Sequence, residues 1–197
     1  MTVAYEFNPM PYVVAVRCPD CGGEASFEFA EIVEIKSRND IEYFETSKSF
    51  EYAKVQAAHG QHINAAIYFH GLRSSTMDAV DDLPEDYKAS DWHHSASHGS
   101  PRSIDLGTVV CTACGTRRKH TLNWPQEAYY QIEHRGDVLW AFDRECTSEL
   151  LAFITSDDRK RDDYRYRLFL MKVPGVFLGK KVRGAISKKL QGLFSST

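Results

Sequence analysis

The sequence predicts an α+β protein, with a β-rich body followed by a β-hairpin and two carboxy-terminal helices. Three observations carry that prediction. Apolar residues alternate with polar ones through much of the first 70 residues, which suits half-buried strands. A Cys-x-x-Cys-Gly unit occurs twice, at Cys18 and at Cys111, each time beside an alternating stretch. From about Val176 onward the chain instead repeats its apolar residues at helical spacing.

The elements follow in order. Tyr12 to Val16 is an apolar strand running into the first cysteine pair. Phe27 and Phe29 alternate with polar neighbours, and Val33 and Ile35 resume the alternation after a bulge. Ser37 to Asp40 reads as a turn, followed by strands over Ile41–Glu45, Ser49–Val55 and Asn64–Phe69. Residues 74–103, rich in Ser, Asp, Pro, His and Gly without periodicity, read as a long loop. A strand over Arg117–Trp124 stops at Pro125. Ala128–Glu133 and Val138–Phe142 flank His-Arg-Gly-Asp, a hairpin pattern with Gly136 in the turn. Asp143 can cap a helix whose apolar face is Cys146, Leu150, Phe153 and Ile154. Asp157–Asp163 is a solvated charge run. From about Val176, Leu178, Val182, Ile186, Leu190 and Leu193 form the stripe of a final helix.

Composition bounds the function. With 43% hydrophobic and 26% charged residues among 197, the chain can build a proper core without disulfides. The first residues lack the basic start and apolar run of a signal peptide, and no apolar run approaches the ~20 residues that cross a bilayer. The expected compartment is therefore the cytoplasm, where five cysteines stay reduced and pairs of them point to metal or redox chemistry. Net charge is −3, yet residues 164–197 hold eight Lys or Arg and no acid, so the preceding part carries a balance of −11. A basic tail on an acidic body can hold an anionic partner or dock on its own body.

The two cysteine units, Cys18-Pro-Asp-Cys21-Gly22 and Cys111-Thr-Ala-Cys114-Gly115, are copies of one device. A gap of two residues lets both sulfurs of a tight turn reach one ion, and the following glycine can take the left-handed conformation that turns backbone N–H groups toward the thiolates. Here the chain resembles the zinc ribbon, in which two such knuckles on adjacent hairpins share one zinc. The resemblance covers residues 12–22 and 108–124, with Thr112 where many ribbons have proline. It implies a small antiparallel sheet and one structural Zn2+ on Cys18, Cys21, Cys111 and Cys114.

The pairs stand 89 residues apart, against roughly 15–20 in compact sites. Closing such a loop costs about 4 kcal/mol beyond a constant, whereas a four-ligand zinc contributes on the order of 10–16 kcal/mol. The metal wins. The predicted organisation is thus a ribbon domain over residues 1–143 with an insertion at about 23–107, then a helical segment over 144–197. Rubredoxin-like iron, a separate Cys111/Cys114/His120 site and a redox pair are the competing uses of these thiols. Cys146 falls on an apolar helix face and reads as core.

Arg17 precedes the first knuckle, and Arg117, Arg118, Lys119 and His120 follow the second. These cations either compensate a site charge of about −2, as expected for four thiolates on one Zn2+, or form a phosphate-binding edge beside Trp124, Tyr129 and Tyr130. The same aromatics equally suit a hairpin core. His93, His94 and His98 with Asp91 are candidates for a second metal or a solvated tract. His59, His62 and Asn64 resemble, at a distance, the residues framed by zinc in HNH nucleases, and Glu34 with Lys36 is half of a restriction-type pattern. The resulting expectation is a non-catalytic, nucleic-acid-associated binding protein whose contacts are Arg117, Arg118, Lys119, Lys180, Lys181, Lys188 and Lys189. The rival is an adaptor or assembly subunit that contacts another protein through its last helix, and a metal-dependent nuclease comes third. No membrane partner is expected, and the sequence does not specify an oligomeric state.

Overall fold

The computed structural model describes residues 10–56, 62–73, 77, 80, 83–95 and 105–195. They form an α+β fold whose strands build one two-stranded and two four-stranded sheets. By backbone contacts the chain divides into residues 26–122 and a second unit made of 1–25 with 123–197.

The unit 26–122 is built on β3 (Glu31–Glu34), β4 (Glu51–Gln56), β5 (His62–Tyr68) and β6 (His93–His94), in the order β4-β5-β3-β6. β5 is central, with Ile32 opposite Ile67 and Val33 opposite Ala66. Successive side chains of a strand take opposite faces, so β3 and β5 feed two cores. Val33, Ala66 and Tyr68 join Phe44, Phe50, Tyr87 and Trp92 on one side. Ile32, Ala65 and Ile67 join Ala30, Val55 and Phe69 on the other. A strand buried on both faces reads as an unbroken apolar run, as Ala65–Phe69 does.

The structure corrects one expectation in this unit and adds packing to another. Residues 41–45 belong to a helix, α1 (Arg38–Thr46), and not to a strand. Ser37 is its N-cap, with the hydroxyl accepting from the Asn39 N–H at 3.2 Å, and Asp40 lies in the first turn. Ile41 and Phe44, three residues apart, then share the face that packs on the first core. Of the segment read as a loop over 74–103, residues 77, 80 and 83–95 lie within the described residues and the rest outside them, and Met77, Tyr87 and Trp92 pack into that core. The Tyr87 hydroxyl accepts from the Lys36 N–H at 2.8 Å and donates to Asp40 at 3.0 Å, and a 3-10 turn at Ala89–Asp91 leads into edge strand β6. Large side chains set singly in polar surroundings anchor this segment, without any periodicity to announce it.

The third sheet runs β1 (Val13–Arg17), β2 (Glu24–Phe29), β7 (Leu106–Val110) and β8 (Arg117–Thr121). Ser26 to Phe29 pairs antiparallel with Val110 to Gly107, and β7 pairs antiparallel with β8, the edge strand. A four-residue helix, α2 (His70–Arg73), packs near β7 and β8.

In the unit of 1–25 with 123–197, β1 bonds to residues 127–129 and to Phe142, with the Ala15 N–H donating to the Phe142 carbonyl at 2.7 Å. β9 (Gln131–His134) and β10 (Asp137–Trp140) form the expected hairpin, closed by Arg135 and Gly136 with φ of 57° and 84°. Two successive positive φ angles are what a type I′ turn requires. α3 (Arg144–Thr155) begins at Asp143, whose carboxylate accepts from the Cys146 N–H at 2.7 Å, and it buries Cys146, Leu150, Phe153 and Ile154. After a 3-10 turn at Arg161–Asp163 come α4 (Arg167–Leu170), α5 (Gly175–Leu178) and α6 (Arg183–Phe194).

The final helix is thus broken, where one continuous helix over the stripe was expected. Gly179 is extended at ψ 138°, and the guanidinium of Arg159 donates to the freed Leu178 carbonyl at 2.7 Å, so ending α5 leaves that acceptor satisfied. Phe177, outside the predicted stripe, is the buried anchor of α5, while Ile186 and Leu190 anchor α6 as the stripe predicts.

Candidate metal centre and basic surfaces

Each knuckle is formed by local hydrogen bonds before any metal is considered. In the first, the Cys18 N–H donates to the Gly23 carbonyl at 2.8 Å and the Gly22 N–H donates to the Cys18 carbonyl at 2.9 Å. In the second, the Cys111 N–H donates to the Thr116 carbonyl at 2.8 Å and the Gly115 N–H donates to the Cys111 carbonyl at 3.0 Å. Gly22 and Gly115 both sit in the left-handed region, with φ of 74° and 77°, where a side chain would be strained. The sequence repeat is therefore a structural repeat. In each knuckle the first cysteine, just after a strand, is buried and the second, at the turn, is exposed.

The four sulfurs lie within 4.8 Å of one another, and among the described residues this is the group whose ligand atoms converge to hold a metal ion. Among the described residues no disulfide joins any of the five cysteines. A tetrahedron with bonds of about 2.3 Å to sulfur has edges of about 3.8 Å, so a contraction on the order of an ångström brings the set onto one ion. Cys114 Sγ also lies 3.0 Å from Thr116 Oγ1, a hydroxyl able to donate to the thiolate. Cys146 stands apart on α3, where burial pushes its thiol well above the ordinary range and leaves it unreactive.

The remaining candidates fall into place around other elements. Arg117, Arg118 and Lys119 are exposed on edge strand β8. Lys119 pairs with Glu51 and lies 5.0 Å over the Phe69 ring. His120 meets the Phe27 ring edge to face at 6.1 Å. Lys180, Lys181, Lys188 and Lys189 are exposed, and Lys189 donates to the Glu133 carbonyl. Trp124 packs on Trp140 and Phe142, at 5.2 and 6.0 Å between ring centroids. Tyr130 is buried with its hydroxyl donating to Glu24 at 2.9 Å. Trp124 and Tyr130 thus take the packing role.

His93 and His94 belong to β6, where the His94 ring stacks on Phe29 at 4.6 Å, and His98 lies outside the described residues. His59 is likewise outside them, His62 is exposed on β5, and Asn64 accepts from the Tyr52 hydroxyl at 2.8 Å. Lys36 donates to the Asp86 carbonyl at 2.6 Å and pairs with Asp91 at 3.2 Å.

One cavity has no counterpart in the sequence reading. Lys48, Arg73 and Lys119 rim a cavity of about 350 Å3 whose apolar lining includes Phe50, Phe69 and Leu72. Its cations come from three separate stretches of chain, so no local pattern marks them.

No family model matches the chain, and no curated protein or solved structure matches it. No helix among the described residues is long and apolar enough to cross a membrane.

Proposed function

We propose that the protein is a non-catalytic zinc-ribbon module that binds nucleic acid. The observation that carries the reading is the cluster of four thiols from two matched knuckles, directly followed by a basic edge strand. Four thiolates fill a tetrahedral coordination sphere, which leaves no open position for substrate and makes the ion structural. Thiolate-only donor sets suit Zn2+ among the redox-inert divalent metals, and a reducing compartment such as the cytoplasm would keep these thiolates available to it. The cations of β8 and the carboxy-terminal lysines supply local positive surface on a chain of net charge −3, which favours discrete phosphate contacts over a wholly basic face.

Retention on single- and double-stranded DNA and on RNA, measured across a salt titration, tests the reading. Binding is expected to fall linearly with log salt. Changing Lys180, Lys181, Lys188 and Lys189 together to Gln should flatten that line by about 0.7–0.9 for each phosphate no longer neutralised, without unfolding the protein. No retention on any of the three at low salt contradicts the reading.

An adaptor role is the second reading, and it has its own observation. Leu168, Met171 and Val176, exposed at 47%, 54% and 36%, follow one another closely ahead of α6. If they dock a protein, changing them to polar residues abolishes partner capture and salt has little effect.

A further inference from the structure

We propose that the cavity rimmed by Lys48, Arg73 and Lys119 takes one unstacked base of a single-stranded nucleic acid. The base would lie against the apolar lining while the three cations hold its neighbouring phosphates. The inference rests on the nucleic-acid reading above and names the strand form and the subsite.

The cavity is suited to this cargo on three counts. Its volume, about 350 Å3, falls in the range of small-ligand sites and admits a base with its sugar. Its floor is apolar, formed by the half-buried Leu72 and by the small exposed parts of Phe50 and Phe69, otherwise buried in the two cores, and a base can pack on it without regard to sequence. Its rim combines three cations with one carboxylate, Glu51, so the local balance favours an anion. An apolar floor under a cationic rim matches a flat apolar group carried on a phosphate backbone better than it matches either part alone.

Lys119 connects the cavity to the rest of the basic surface. On β8 it lies two residues from Arg117, which puts both side chains on one face of an edge strand. Phosphates following that face would reach Lys119 and then the cavity mouth, where Lys48 and Arg73 stand. Glu51 competes for the same lysine, because the Lys119–Glu51 pair is made within the cavity wall. The carboxylate therefore opposes an incoming phosphate, and removing it should tighten binding. A purely structural role for these residues predicts the opposite, since losing Glu51 would then only weaken the fold.

The test uses the full chain and fluorescently labelled oligothymidylate and oligouridylate, with anisotropy read across a salt titration. The Lys48→Gln/Arg73→Gln double variant should bind about tenfold more weakly, with its salt slope lower by about 1.4, as freeing two phosphates of a single strand requires. Glu51→Gln should bind several-fold more tightly than wild type, a gain that unfolding cannot mimic. An abasic oligonucleotide of equal length should lose about tenfold in affinity, and a duplex should compete less well than the single strand. Wild-type affinity in the double variant, no gain in Glu51→Gln, or equal affinity for the abasic strand overturns this subsite. If the four-lysine variant of α6 and its preceding link still loses binding, the nucleic-acid reading itself survives. If wild type binds neither oligonucleotide nor duplex, the broader reading falls and the subsite with it.

Discussion

Tyr130 illustrates what one residue contributes to this fold. Its ring is buried and its hydroxyl donates to Glu24 at 2.9 Å, a bond that spans most of the chain. Burial, and then the Glu24 carboxylate, push its pKa from 10.0 to about 12. The neutral phenol is the form the folded state prefers, so its contribution is complete below pH 10.0 and is lost as pH rises toward about 12. Tyr166, pushed up by burial and by donating to Asp143 at 2.8 Å, acts in the same direction. Tyr130→Phe is therefore expected to lower stability by about 1–3 kcal/mol at neutral pH, the worth of a hydrogen bond to a charged acceptor. It should also reduce, without abolishing, the alkaline loss of stability. Urea unfolding of both proteins across that pH range checks this, and parallel alkaline limbs would contradict it.

At the scale of elements, α3 offers the cleanest test because its start is a single side chain. Asp143 satisfies the Cys146 N–H through one carboxylate oxygen and receives the Tyr166 hydroxyl on the other. Asp143→Ala is expected to cost about 2 kcal/mol, the upper end for a lost N-cap, since it also strands the tyrosine. Asp143→Asn keeps both acceptor functions in part and should recover most of that loss in thermal or urea unfolding.

The same helix was legible in sequence because cap and apolar face lie within a few residues. The hairpin was legible for a similar reason, since Arg135 and Gly136 sit between two alternating runs with no choice of register. α1 was not, because Ser37-Arg-Asn-Asp40 suits a turn and a helix start equally, and only the placement of Phe44 in the core decides between them. The break between α5 and α6 was hidden for a different reason. The guanidinium that satisfies the Leu178 carbonyl comes from Arg159, in a segment read as a solvated charge run. Of the site, the cysteine knuckles were fully visible as two local repeats. The cavity was not, because Lys48, Arg73 and Lys119 meet only through the folding of the unit 26–122.

At the scale of the whole molecule, the proposed structural zinc would join thiols 89 residues apart in the chain. Each knuckle is already shaped by its own hydrogen bonds, so an ion would need only the contraction on the order of an ångström that brings the four sulfurs together. Its binding free energy would then appear as folding free energy and outweigh a loop-closure cost of about 4 kcal/mol. Elemental analysis of protein purified without chelators tests this most directly, with unfolding followed on addition of a strong chelator. One zinc per chain is expected, and its loss should lower the melting temperature; Cys18→Ser and Cys111→Ser should each lose the metal and melt lower. Iron, two ions per chain, or a metal-free protein of unchanged stability would contradict it.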